Sequence, residues 1–260
     1  MDTYLYSDDE SCYDGLKILK NKYALACLDD FDAKATLLEL SQDGLSLTWP
    51  EGKKRLQLKL DFVDGAARHR RLYGGGKSQA IAKACGFSAA YKPSILDACA
   101  GQGGDAFVFA GLGAKVILLE RSAVACALLD DALNRAKAWS GEHDNELAEV
   151  VQKMHLLNES AHDYLNKAKP ASVDVVYLDP MFPERKKSAQ VKKNMRIFHT
   201  LIGADTDADL LLEPAKKTAK YRVVVKRPKG APFLAEQKPT YQLDGKSTRF
   251  DIYVNKAMPG

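Results

Sequence analysis

The sequence predicts an α/β fold: a doubly wound, mostly parallel sheet preceded by a small β-rich unit. Three observations carry that prediction. Short apolar runs at Ile95 to Ala98, Val116 to Glu120, Val151 to Leu157, Val173 to Leu178 and Arg222 to Lys226 alternate with helical patterns, as parallel strands with crossovers require. Several of these runs end on an acid beside a turn, so one edge of the sheet collects polar groups. Thr240 to Leu243 and Arg249 to Val254 flank an Asp244-Gly245 turn, so the sheet should close on an antiparallel hairpin.

Residues 1 to 60 alternate apolar runs (Tyr23 to Leu28, Thr36 to Leu40, Leu45 to Trp49, Leu56 to Leu60) with turn signals at Asp29-Asp30, Asp43-Gly44 and Glu51-Gly52. That spacing predicts a small β-rich unit, a meander. Residues 61 to 91 form a connector, with a basic and glycine-rich block followed by a helix over Ser78 to Cys85 that Gly86 ends. The main domain spans 92 to 260, with helices at Ala106 to Gly113, Ala123 to Trp139 and Asp209 to Lys220. Right-handed crossovers place such helices on both faces of the sheet.

A chain of 260 residues with 46% hydrophobic and 28% charged residues can bury a full core and is ordinary for a globular protein. It contains no run of about eighteen apolar residues, so no membrane span is expected. The acidic start, Met1-Asp-Thr-Tyr-Leu-Tyr-Ser-Asp-Asp-Glu10, lacks the basic and apolar parts of a signal peptide and argues for a cytoplasmic protein. The cysteines Cys12, Cys27, Cys85, Cys99 and Cys126 are scattered without ligand spacing, which disfavours both a metal site and a disulfide framework. Cys99 sits in the glycine turn, where its small size is the better explanation.

The stretch Ser94-Ile-Leu-Asp-Ala-Cys-Ala-Gly-Gln-Gly-Gly-Asp105 is an apolar run ending in an acid and a glycine cluster. Glycine admits positive φ and lets a ligand approach the main chain, so the segment reads as a strand entering a ligand-binding turn. The next strand run ends in Glu120, placed to accept from ribose hydroxyls. Two kinds of domain share this plan, one holding a dinucleotide and one holding S-adenosylmethionine for methyl transfer. Gly101, Gly103 and Gly104 depart from G-x-G-x-x-G because position 106 is Ala, a weak discriminator since alanine is tolerated there. Asp97 and Asp105 are more telling. Acids on both sides of the loop repel a pyrophosphate and suit a ligand carrying an ammonium and a sulfonium.

The fourth strand run delivers Asp179-Pro180-Met181-Phe182 to the same edge. This resembles the Asp/Asn-Pro-Pro-Tyr/Phe motif of methyltransferases acting on planar exocyclic amines. Such an amine shares its lone pair with the ring and is a poor nucleophile. A carboxylate at Asp179 and the Pro180 carbonyl can accept its two N–H hydrogens and return electron density to nitrogen. Phe182 can stack on the base. A ligand-binding protein without catalysis would have no use for an acceptor paired with an aromatic platform. The motif leaves RNA guanine, DNA adenine or cytosine, and protein glutamine open as acceptors. Gly74-Gly-Gly-Lys-Ser78 is not a P-loop, because the first glycine of that motif would fall at position 71, which is Arg.

Net charge is only +4, but the cations are grouped. Glu184 to Arg196 carries six cations against one acid, so Arg185, Lys186, Lys187, Lys192 and Lys193 would meet nucleic-acid phosphates beside the motif. Arg68, Arg70 and Arg71 form a second cluster, and Lys226-Arg-Pro-Lys229 a third.

Taken in order, Phe62 to Lys77, Asp97 to Phe107, Leu118 to Arg121, Ala127 to Asp131, Tyr177 to Pro183, Val223 to Pro228 and Arg249 to Tyr253 are similar to the blocks of the RsmJ family. The resemblance spans about Leu60 to Tyr253. Leu-Asp-Pro-Met-Phe-Pro and the Arg-His-Arg-Arg to Gly-Gly-Gly block are specific to it, whereas the glycine loop is generic. The resemblance implies a Rossmann-like class I fold and S-adenosylmethionine as cofactor. It implies methylation of the exocyclic N2 of a guanosine in 16S, small-subunit ribosomal RNA. Because positioning dominates such a transfer, no metal is needed, and no obligate protein partner is evident. Gly101, Gly103, Gly104 and Asp105 should then surround the amino-acid end of the cofactor, with Asp97 supporting the loop. Glu120 should hold the ribose with Arg121 beside it, and Ser160 and Ala161 match the family's positions near the adenine. Asp179, Pro180 and Phe182 would act on the base, with Asp179 touching both ligands.

Overall fold

The computed structural model describes residues 2–73, 76, 79–181, 203, 207–245 and 248–259. Ahead of the main sheet lie β1 (Thr3–Tyr6), α1 (Tyr13–Tyr23), β2 (Thr36–Ser41), β3 (Gly44–Glu51) and β4 (Lys54–Leu58). The strands stand in the order β1-β2-β3-β4, with β1 parallel to β2 and antiparallel pairs after it. The expected meander therefore holds from β2 to β4 and fails before them. Of the run Tyr23 to Leu28 only Ala26 to Leu28 pairs as expected, by one bridge of Cys27 to Leu5 of β1, because Tyr23 closes α1, where Leu16, Leu19 and Tyr23 turn inward as one stripe. A helix between β1 and β2 is also what lets the two strands run parallel.

The connector holds two helices, α2 (Gly65–Tyr73), which composition did not suggest, and α3 (Ala80–Cys85). Gly86 closes α3 as expected, with φ of 80° and its N–H returned to Ala82 and Lys83 carbonyls. Then follow β5 (Ile95–Asp97), α4 (Gly104–Gly111), β6 (Val116–Leu119), α5 (Ala123–His143), α6 (Asn145–Gln152) and β7 (Met154–Leu157). The rest is α7 (Ala161–Lys167), β8 (Val173–Leu178), α8 (Leu212–Thr218), β9 (Ala219–Pro228), β10 (Tyr241–Asp244) and β11 (Thr248–Val254). Val151 belongs to α6 and not to the third strand of the main sheet. Leu147, Val150 and Val151 are buried at helical intervals, and the extended stretch begins only at Met154. The helix expected to reach Lys220 is a 3-10 turn at Ala208–Leu211 running into α8, and the chain is already extended at Ala219.

The seven main strands lie in the order β10-β11-β9-β8-β5-β6-β7. The run from β9 to β7 is parallel, and β10 and β11 close it as an antiparallel pair. Alternation along the strands divides the core. Ile95, Val175, Tyr177 and Val224 face one side with Phe107, Phe109 and Leu129, while Leu96, Val176, Leu178 and Val225 face the other with Leu212 and Ala215. Each Val, Leu, Ile or Phe among them contributes about 1.5–3 kcal/mol when fully buried.

Leu45, Leu47 and Trp49 of β3 belong to the same core as Leu128 and Ala132 of α5, and Arg135 of α5 donates to the Leu60 carbonyl at 2.6 Å. Among the described residues no helix is long and apolar enough to cross a membrane.

Candidate active site

The chain lays β5, β6 and β7 outward on one side of the sheet and β8 and β9 on the other. In an open α/β sheet the crevice for a ligand opens where this reversal occurs, at the carboxyl ends of the strands. Asp97 ends β5, Glu120 follows β6, Asn158 follows β7 and Asp179 follows β8, so one edge gathers the acids that the sequence singled out.

The glycine turn is strapped between neighbouring strands. The Ala98 amide donates to the Tyr177 carbonyl and the Ala100 amide to the Leu119 carbonyl, both at 3.0 Å. Gly101 and Gly103 take φ of 53° and 72°, and a Cβ on Gly103 would sit 2.7 Å from the Leu129 side chain. Both the backbone conformation and the space therefore demand glycine there. Gly104 and Asp105 open α4.

Glu120 is buried and braces this turn. Its carboxylate accepts from the Gly101 amide at 3.0 Å and from the Ser122 amide at 2.7 Å. Ser122 in turn caps α5, its hydroxyl accepting from the Ala125 amide. Arg121 forms an ion pair with Asp207 at 3.1 Å. Ser160 and Ala161 stand at the start of α7, and the Ser160 carbonyl accepts from the Tyr164 amide. Nearby, the Asn158 amide donates to the Glu120 carbonyl at 2.8 Å, tying the end of β7 to that of β6.

The centre of the edge is a cluster of three acids and one lysine. Lys226 Nζ lies 2.8 Å from Asp105 Oδ2 and 2.8 Å from Asp179 Oδ2. Asp105 Oδ2 also accepts from the Tyr177 hydroxyl at 2.7 Å. Asp97 lies beneath, only 2% exposed. Burial first, and then the charge of Asp105, push the Asp97 carboxyl from 3.8 up to about 8. The Cys99 amide, which donates to Asp97, opposes that rise without cancelling it. Burial opposes the charge on Lys226, yet Asp179 and Asp105 outweigh it and hold the ammonium above the usual lysine range. Burial, and then Asp105, keep the Tyr177 hydroxyl protonated well past its ordinary range.

The structure thus brings Asp97, Gly101, Gly103, Gly104, Asp105, Glu120 and Asp179 to one edge of the sheet, with buried Pro180 directly after Asp179. Phe182 and the run Arg185, Lys186, Lys187, Lys192 and Lys193 lie outside the described residues, as does the side chain of Arg70. Arg68 is exposed on α2. Arg71 departs from the expected phosphate-binding role: its side chain is 4% exposed and pairs with Asp144 and Glu146 at the start of α6. The third basic cluster dissolves for a geometric reason. Alternation along β9 sends Lys226 into the acid cluster and Arg227 to the opposite face, where it is buried and donates to the Pro232 carbonyl.

Tyr177 and Lys226 were missed as site residues, although the signal was present. Tyr177 stands two residues before Asp179 and so shares its face, and the parallel register of Leu178 with Val225 sets Lys226 beside Asp179. Among the described residues no group of His, Cys, Asp and Glu is arranged to hold a metal ion. Three acids around one lysine, beside a glycine turn, fit a ligand that brings positive charge.

Comparison with known proteins agrees with this chemistry. The profile of a family described as "Putative SAM-dependent methyltransferase" matches residues 19–255. Ribosomal RNA small subunit methyltransferase J of Cellvibrio japonicus is 50% identical over 224 residues, covering 86% of this chain and 84% of the relative. The protein of that name from Psychromonas ingrahamii is 46% identical and covers 100% of this chain and 98% of the relative. The crystal structure of a SAM-dependent methyltransferase from Neisseria gonorrhoeae superposes with a TM-score of 0.73 at 32% identity, covering 100% of this chain and 98% of that one. With a parallel sheet that reverses at Asp97 and Asp179, and with likeness over nearly its whole length, the chain belongs to the ribosomal RNA small subunit methyltransferase J family of S-adenosylmethionine-dependent methyltransferases.

Proposed function

We propose that the chain methylates the exocyclic N2 of a guanosine in small-subunit ribosomal RNA. The observation that carries this reading is the place of Asp179. It follows β8 at the point where the sheet reverses, partly exposed, and is joined through Lys226 to Asp105 at the glycine turn. An acceptor for an amine therefore stands beside a cradle for a cation.

Asp97, Gly101, Gly103, Gly104 and Asp105 would hold the amino-acid end of S-adenosylmethionine, Glu120 with Arg121 the ribose side, and Ser160 and Ala161 the adenine side. The cofactor supplies a methyl group activated by positively charged sulfur. The task left to the protein is alignment, so positioning dominates its contribution. Asp179 and the Pro180 carbonyl accept the two N–H hydrogens of the guanine amine and steer its lone pair. Phe182, assigned from sequence alone, stacks on the base. The guanosine must leave its stack or come from an unpaired stretch.

Arg68, Arg70, Arg185, Lys186, Lys187, Lys192 and Lys193 are proposed to meet RNA phosphates, again from sequence for all but Arg68. Residues 1–60, 61–91 and 92–260 are proposed as an N-terminal unit, a connector and the methyltransferase domain, in a protein working in the cytoplasm. The test is transfer of tritiated methyl groups to ribosomal RNA from a strain lacking the protein, followed by mapping of the modified nucleotide. Label on a guanosine N2 of small-subunit RNA is the expected result; label on another base, or on protein only, overturns the assignment.

A further inference from the structure

We propose that Lys226 is a positioning residue for the methyl acceptor: by bridging Asp179 to Asp105 it keeps the Asp179 carboxylate ionised and fixed against the end of β8. The inference rests on the functional reading above and goes beyond it by assigning a role to a strand residue that acts through Asp179.

The geometry begins with register. β8 and β9 pair in parallel with Leu178 opposite Val225, so the next residues, Asp179 and Lys226, stand side by side. β8 ends at Leu178 while β9 runs on to Pro228, so Lys226 sits on regular strand while Asp179 begins a turn. A lysine can serve two separate carboxylates because its ammonium is a point charge with three rotatable donors. Here it reaches one oxygen of each acid at 2.8 Å.

Among the described residues, the groups facing this pair come from several elements. Asp97 comes from β5, Asp105 from α4, Tyr177 from β8, and Cys85 from α3, whose thiol is pushed up by burial and then by Asp105. Arg222, lower on β9, bonds to the Ala84 carbonyl and the Tyr241 hydroxyl. Removing Lys226 takes from Asp105 and Asp179 the ammonium that both carboxylates contact. Asp97 already favours its proton, so the repulsion left is that between Asp105 and Asp179, and it favours a proton on one of that pair. An Asp179 that holds a proton gives up half its acceptor capacity and offers a donor where the guanine amine also offers one.

The experiment compares kcat against pH for wild type, Lys226→Met, Lys226→Gln and Lys226→Arg, using small-subunit ribosomal RNA and saturating cofactor. Losing a cation in contact with a carboxylate should move the acid limb of the Met and Gln variants about 1–3 units toward alkali, since that is the usual effect of such a partner. Activity then drops about tenfold or more at the acid end and recovers as pH rises. Lys226→Arg, which keeps the charge, should retain the wild-type limb. A carbon-13 titration of Asp179 in the ligand-free protein reads the same displacement without substrate. If Lys226→Met fails to fold, Lys226→Gln, which keeps a donor, carries the comparison. An unmoved limb with a uniform loss across pH, or an Arg variant as impaired as Met, overturns the role. Absence of transfer by the wild type overturns the substrate reading instead, and the carboxyl titration still decides for or against Lys226.

Discussion

Strands β5 and β8 meet acids at both ends, and the two ends treat them in opposite ways. At the amino end, Asp174 Oδ2 accepts from the Ser94 amide and the Ser94 hydroxyl, both at 2.9 Å, while the Asp174 amide donates to Ser94 Oγ at 3.1 Å. One acid is satisfied by neutral donors, and the contact locks the start of two adjacent strands. At the carboxyl end Asp97, Asp105 and Asp179 crowd around Lys226. A sheet needs only the first arrangement. The second costs stability through burial and like-charge repulsion, and that cost falls when a cationic ligand arrives. The contrast separates an acid kept for architecture from acids kept for chemistry.

The largest effect on stability should come from Asp97→Asn. Asp97 ionises near 3.8 when unfolded and near 8 in the fold, so its contribution is intact below the lower value and is lost as pH rises toward the upper one. Each pH unit between the two removes at most about 1.4 kcal/mol, so the penalty relieved by Asn reaches several kcal/mol at pH 8. Asn keeps an oxygen for the Cys99 amide. Chemical denaturation at pH 4.5 and at pH 8 should show the variant near wild type at the first and clearly more stable at the second, with weaker S-adenosylmethionine binding. An equal difference at both pH values would mean that Asp97 is not a buried acid under strain.

Asp179→Ala should come next, read in methyl transfer. Loss of one preorganised group of this kind lowers kcat on the order of 10²–10³, or about 3–4 kcal/mol. Phe182→Ala should lose a stacking surface worth about 1–3 kcal/mol while keeping cofactor affinity. Wild-type rates from both folded variants would remove the proposed active site altogether.

How much of this was legible beforehand depended on the range of the interaction. The glycine turn, Glu120 and Asp179 lie at the ends of apolar runs, so local pattern placed them on one edge. The helical stripe of Leu16, Leu19 and Tyr23 was also local, but short apolar runs near it read as strands, and the parallel β1–β2 pair followed from that missed helix. Lys226 and Arg227 looked like one basic patch because adjacency in sequence hides the period-two alternation that sends them to opposite faces. Arg71 looked exposed because its partners, Asp144 and Glu146, are more than seventy residues away. Charge clusters read along a chain thus mix surface with interior until pairing is known.

Glu120→Ala sharpens the comparison from the side of the loop. Its carboxylate satisfies the Gly101 and Ser122 amides and is proposed to meet the ribose, so removal should weaken cofactor binding by about 1.5–3 kcal/mol. Glu120→Gln, which retains one acceptor, should lose less. Calorimetry with S-adenosylmethionine checks the order; equal affinity for wild type and Glu120→Ala would leave the residue a loop brace only.

The smallest effect belongs to the amino end. Ser94→Ala removes the hydroxyl that donates to Asp174 and accepts from its amide, leaving the Ser94 amide bond to Asp174 in place. Two net hydrogen bonds of this kind contribute roughly 1–2 kcal/mol together, and Asp174 is partly open to water, which lowers the figure toward the bottom of that range. Ser94 precedes Asp97 by three strand positions, about 10 Å along β5, so neither ligand should notice the change. The expected result is a modest fall in the denaturation midpoint with unchanged cofactor affinity and methyl transfer. A loss of transfer larger than the loss of stability would mean that the two ends of β5 are coupled through the strand, and the division between an architectural acid and a working one would have to be redrawn.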